Sequence, residues 1–261
     1  MSLITWIIIF SLVGGVLSVI AAGLFLLLPK AKRIALLPHM VSFAIGTLLG
    51  AAFLGLLPHA LESPASPGAH DIMKTTLIGI LTFFMLEKLV IWRHCHTVEC
   101  EVHGSDDHQH EHTTPAGTLV LVGDAVHNFV DGILIAAAFM TDIHLGVVTA
   151  LAVAAHEIPQ EVGDFAILIE SGFSRAKAFA FNIIASLTTV VGALLAYFSL
   201  QTVEAFVPYV LAIAASSFIY VAVADLIPGL HKRTEVIESV RQIVLIASGV
   251  LLIVFTHSQL H

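Results

Sequence analysis

The chain has 261 residues, 57% of them hydrophobic and only 11% charged, with a mean hydropathy of +0.96 and a formal net charge of −8. Soluble domains carry charge on about a quarter of their residues, so this composition excludes one or two water-exposed globular domains and points to a lipid bilayer as solvent. No nucleic-acid partner is expected.

A spanning helix needs about 20 mainly apolar residues. Eight such stretches follow in chain order, over 4–28, 35–57, 72–92, 116–140, 144–169, 176–199, 205–229 and 241–258. The expected fold is an all-α polytopic membrane protein with eight transmembrane helices, a single transmembrane domain over 1–261. The opening MSLITWIIIF lacks a basic n-region, and the apolar run continues past the length of a signal-peptide core. It reads as a retained first helix.

Short loops rich in Lys and Arg stay cytoplasmic. Lys30, Lys32 and Arg33 follow the first helix, Lys88 and Arg93 end the third, Arg175 and Lys177 follow the fifth, and Lys232, Arg233 and Arg241 separate the last two. These ten of the 11 basic residues share one side; only Lys74 stands on the other. Both termini are therefore expected on the non-cytoplasmic side. The compact chain, with no large ectodomain, fits a prokaryotic cell (inner) membrane.

Between helices three and four, residues 93–115 form an expected cytoplasmic loop, which includes His94, His96, His103, His108, His110 and His112 amid acids. Tracts of this kind bind metal as a class, and the expected role is capture or regulation, not selectivity. Cys95 and Cys100 fall in the same loop, where thiols stay reduced.

From His94 to Ser174 the chain has no Lys or Arg, although it holds 12 acids and nine of the 15 histidines. Cations from outside the chain must balance that charge. Helix four carries GDAVHNFVDG, which puts Asp124, His127 and Asp131 on one stripe with Asn128 beside it. Helix five carries HEIPQEVGD, with His156, Gln160 and Asp164 in one row and Glu157 with Glu161 in the next. Pro159 removes a backbone hydrogen bond there and frees the Ala155 carbonyl. Ionisable groups inside a membrane are costly and mark functional sites. A lone Asp or His can simply hydrogen-bond a neighbouring helix, but nine polar positions on two consecutive helices, with no basic partner, point to a metal path. Imidazole and carboxylate suit zinc, iron and manganese; the lack of thiolate disfavours copper(I). His59, in LLPHALE at the outward end of helix two, is a further candidate, ahead of Glu62, Glu87, Asn182, Asp225 and His231.

Two other functions compete. HEIPQ approaches the HExxH of zinc proteases, but Gln160 replaces the second histidine and Pro159 interrupts the motif. A metal sensor would need an effector domain for which eight spans leave no room. There is no GxxxxGK[ST] loop for ATP-driven pumping.

With HNFVDG on helix four and HEIPQEVGDF on helix five, the sequence resembles the Zrt/Irt-like (ZIP) metal transporters over nearly its whole length. The HExPxExGD pattern is most similar to the histidine-rich subfamily, in which Gln160 is often His. The resemblance implies an eight-helix fold, commonly homodimeric, in which helices four and five cradle the metal and a transport domain slides past a scaffold. It implies ligands at His127, Asn128, Asp131, His156, Glu157, Gln160 and Glu161. It also implies delivery of zinc or another divalent metal (iron, manganese or cadmium) into the cytoplasm, with the metal as transported substrate and no prosthetic group.

Overall fold

A computed structural model describes residues 1–98, 115–201, 204–231 and 235–259. They form eight long helices and, among the described residues, no strand. These are α1 (Leu3–Leu26), α2 (Lys30–Glu62), α3 (Ala69–Val98), α4 (Pro115–Thr141), α5 (Ile143–Glu170), α6 (Arg175–Leu200), α7 (Val207–Leu230) and α8 (Val236–Gln259). Of the expected 93–115 connection, residues 99–114, with four of its histidines and Cys100, lie outside the described residues. The helical backbone of α3 instead runs through Val98, and α4 begins at Pro115.

Seven of the eight are long and apolar enough to cross a membrane by length and composition. The eighth, α5, fails on apolarity because it carries the acids of HEIPQEVGD, yet its 28 residues span about 42 Å at about 1.5 Å per residue. Two of those acids, Glu157 and Glu161, are no more than 1% exposed and so kept from lipid. Large apolar side chains such as Leu77, Leu81, Ile243 and Leu251 are instead more than half exposed, as a belt facing hydrocarbon requires.

The helices run longer than the apolar stretches because their charged ends stay helical. Lys30 opens α2 on Pro29, and Arg241 pairs with Glu238 one turn earlier in α8 at 2.7 Å. Conversely, the gap over 141–143 between the fourth and fifth apolar stretches shrinks to Asp142. That residue adopts extended backbone between α4 and α5, and its carboxylate caps the new helix through the N–H groups of His144 and Leu145.

Two helices change pitch midway. Residues Ala51–Leu56 of α2 and Val221–Leu226 of α7 are π-helical, and each segment is followed at the second residue by a proline, Pro58 or Pro228. The wider turn suits a residue that has no N–H to donate. Packing repeats the correspondence: α2 lies on α8 and α3 on α7, α1 on α5 and α4 on α6. These pairings exchange when α1–α3 are swapped for α6–α8 and α4 for α5. Related helices are an odd number of crossings apart, five for α1–α3 with α6–α8 and one for α4 with α5, so they run in opposite directions, which makes the repeat inverted. No short-period repeat is legible in the sequence, because the halves share little beyond an apolar run ending in Leu-x-Pro or Ile-Pro.

The α4–α6 contact is the closest in the bundle. A Cβ at Gly132 would run into the Thr189 carbonyl, and one at Gly192 into the Phe129 carbonyl. These glycines let two backbones touch, as small residues do between membrane helices.

Candidate metal centre

On α4, the i, i+4 spacing of His127 and Asp131 stacks them on one face, and α5 presents His156 and Glu157 toward it. One donor atom from each of these four residues lies within 4.8 Å of all the others. The two Nε2 atoms are 3.3 Å apart. His127 Nε2 is 3.3 Å from Glu157 Oε1 and 3.8 Å from Asp131 Oδ2; His156 Nε2 is 3.3 Å from Asp131 Oδ2 and 3.8 Å from Glu157 Oε1. A tetrahedral ion bound at about 2.0–2.1 Å by nitrogen and oxygen sets its ligands about 3.3–3.4 Å apart. These five distances lie within about 0.5 Å of that spacing.

The orientation of His156 is fixed from behind. Its Nδ1 lies 3.0 Å from the Ala152 carbonyl, which assigns the proton to Nδ1 and leaves the Nε2 lone pair facing the cluster. The Phe218 ring packs edge-on at 6.0 Å. Asp131, His156 and Glu157 are at most 1% exposed, whereas the His127 side chain is 23% exposed. His127 is therefore the most accessible of the four.

A second group, Asp124, Glu157 and Glu161, shares Glu157 with the first. It lies one turn nearer the end of the bundle that carries the basic residues. Seven oxygens of the four carboxylates in the two groups are buried without a hydrogen bond: Asp124 Oδ2 and both oxygens of Asp131, Glu157 and Glu161. Buried polar atoms are normally satisfied, and carboxylates this close cannot all stay ionised without positive charge from protons or a metal. Among the described residues, the Lys and Arg ion pairs are Lys74–Asp71 and Arg241–Glu238, both on the surface.

Asn128 has a different place. Its Nδ2 donates to Asp124 Oδ1 at 2.8 Å, and its Oδ1 accepts from the Thr189 hydroxyl at 2.7 Å. It thus clamps Asp124 and ties α4 to α6. Gln160 and Asp164 are half-buried, and Asp164 belongs to neither group; α5 stays helical through Pro159. His59 is at the opposite end, outside both groups. Glu87 accepts from the Tyr220 hydroxyl and joins α3 to α7.

Sequence reasoning missed Thr189. The signal was available, since Asn182, Ser186 and Thr189 form an i, i+4, i+7 stripe on an otherwise apolar α6, and all three are at most 1% exposed. Toward the end away from the basic residues, Ile135, Phe139, Ala152 and Val153 close the bundle with apolar contacts, each no more than 2% exposed.

Eight membrane helices around a buried cluster of imidazoles and orphaned carboxylates define an integral membrane protein that handles divalent metal ions. The family model for the ZIP zinc transporter matches residues 92–257. Zinc transporter ZIP13 of Pongo abelii is 34% identical over 84% of this chain and 66% of its own length. Zinc transporter zipt-7.1 of Caenorhabditis briggsae is 31% identical over 86% and 70%, and the ZIP13 homolog of Drosophila melanogaster is 28% identical over 94% and 87%. The chain belongs to the ZIP zinc transporter family.

Proposed function

We propose that the chain moves zinc, or a divalent metal of similar preference, across its membrane without ATP, holding the ion at His127, Asp131, His156 and Glu157. The observation that carries this reading is three buried donors and half-buried His127 close to tetrahedral spacing, beside carboxylate oxygens that have no hydrogen-bond partner. Two nitrogens and two oxygens bind zinc firmly enough to strip its water, and the absence of thiolate from the cluster allows release.

Release runs toward the basic end. Asp124, Glu161 and half-buried Asp164 lead that way from the cluster, while the other end is closed by apolar side chains. The distribution of Lys and Arg makes the basic end cytoplasmic and puts both termini outside, so metal is delivered inward. Asn128 positions Asp124, Gln160 stands by as a weaker oxygen donor, and the His-rich 93–115 segment collects or regulates. A protease would use Glu157 as its base; here Glu157 is 3.3 Å from His127 as a ligand would be. A homodimer is proposed from family resemblance. The relatives are animal proteins and lend no support to a prokaryotic cell membrane.

The test is zinc uptake into proteoliposomes holding the purified protein without ATP, compared with His127→Ala and His156→Ala. Uptake that both substitutions abolish supports the reading. Equal uptake by all three proteins would overturn the assignment of the cluster.

A further inference from the structure

The outer side of the α4–α6 pair is indented along the half nearer the basic end. There a groove of about 460 Å³ runs between Leu121, Val122 and Phe129 of α4 and Phe181, Ile184 and Thr188 of α6. It is open along its length, since Val122 and Ile184 are more than half exposed. Its far end is the crossing of the two helices, where Gly132 and Gly192 bring the backbones together.

The groove is built for hydrocarbon. The Thr188 hydroxyl is turned back onto the Ala125 and Ala185 carbonyls, at 2.7 and 2.6 Å, so it offers an occupant no donor. Charge enters only at the basic end. Lys177, Phe181, Ile184 and Thr188 follow one another at i, i+4, i+7 and i+11, which sets them on one stripe of α6. Lys177 is exposed and, among the described residues, pairs with no carboxylate.

Length then selects the occupant. From Lys177 to Thr188 the stripe rises about 16 Å at about 1.5 Å per residue, and half of a bilayer's hydrocarbon core is about 15 Å. The groove therefore takes a chain one leaflet long whose polar end lies beside Lys177. A second copy of this chain fits less well. Packed across the groove about an axis along the membrane normal, it would set the two Lys177 side chains against each other in one leaflet, whereas an anionic headgroup neutralises that charge.

We infer that the α4–α6 groove binds an anionic phospholipid of the leaflet at the basic end, with one acyl chain in the groove and the phosphate on Lys177. The site uses no residue of the metal cluster and stands apart from the transport reading.

Native mass spectrometry of the full-length protein, released from detergent with equal amounts of phosphatidylglycerol and phosphatidylcholine, measures which lipid is retained. The unaltered protein should prefer phosphatidylglycerol. Lys177→Gln should weaken that preference by about fivefold, the effect of one basic residue near a membrane surface. Arg175→Gln removes the same charge about 200° round α6, off the stripe, and should change the preference far less. Val122→Trp fills the groove, leaves Lys177 in place and should lower retention of both lipids. All three side chains are exposed, so the fold does not depend on them. Equal retention of the two lipids by the unaltered protein, equal loss from Lys177→Gln and Arg175→Gln, or unchanged retention by Val122→Trp would each overturn the site.

Discussion

Replacing Glu157 with Gln should make the metal-free protein more stable and the zinc-loaded protein less so. Glu157 is fully buried, belongs to both groups, and neither of its oxygens has a hydrogen-bond partner. Oxygens of Asp124, Glu157 and Glu161 lie within 4.8 Å of one another. Two unit charges at that distance repel by about 3.5 kcal/mol at an effective dielectric constant of about 20. Glu157 meets two such repulsions, about 7 kcal/mol together, against an attraction of about 5 kcal/mol to a protonated His127 at 3.3 Å, so the amide gains on the order of 1–3 kcal/mol without metal. With zinc the sign reverses. A ligand at about 100 times its dissociation constant stabilises the native state by about 2.7 kcal/mol, and Gln forfeits most of that. The assay is thermal unfolding of purified protein in detergent, with EDTA and then with zinc. A lower midpoint for Glu157→Gln in EDTA, or a zinc-induced rise equal to that of the unaltered protein, would refute the reasoning.

Removing residues 96–112 should leave substantial uptake in the same proteoliposomes in which His127→Ala abolishes it; equal loss from both would undo the division of roles. Asp142→Ala should cost about 1 kcal/mol through the lost cap, and Asp142→Asn should restore it, as read by thermal unfolding. Since folding lowers the carboxyl of Asp142, its charge-dependent stability is present above its ordinary value near 3.8 and disappears as pH falls through the lower folded value, a dependence Asp142→Asn should lack. Gly132→Leu should drive α4 from α6 and lose more than about 3 kcal/mol, seen as loss of folded protein on size-exclusion chromatography, while Ala at the open position Gly123 should be tolerated.

The eight helices were legible because apolar runs of spanning length have few other uses. Their ends were not, since Lys30 and Glu238 sit on helical backbone that continues beyond hydrocarbon, where hydropathy is silent. His127, Asp131, His156 and Glu157 stood out by the cost of burying them. Their grouping did not: single-helix rows join His156 to Gln160 and Glu157 to Glu161, whereas α4 faces the angle between the two rows and draws the adjacent residues His156 and Glu157 into one cluster. That choice depends on how two helices cross, and one helix cannot report it. Thr189 escaped for a related reason, as a hydroxyl in an apolar span usually bonds its own backbone.

The π-helical segments of α2 and α7 leave a mark on what the chain can tolerate. Each holds one residue more than an α-helix of the same rise would need, and each residue turns the helix by about 100°. Deleting one residue within Ala51–Leu56 would restore ordinary pitch and leave both flanking segments facing their present neighbours. The same deletion a turn outside the bulge would rotate everything beyond it by about 100°, turning the segment that carries His59 away from its present neighbours. Homologous chains that differ in length within these helices should therefore differ inside the two bulges, where a register change can be absorbed on the spot.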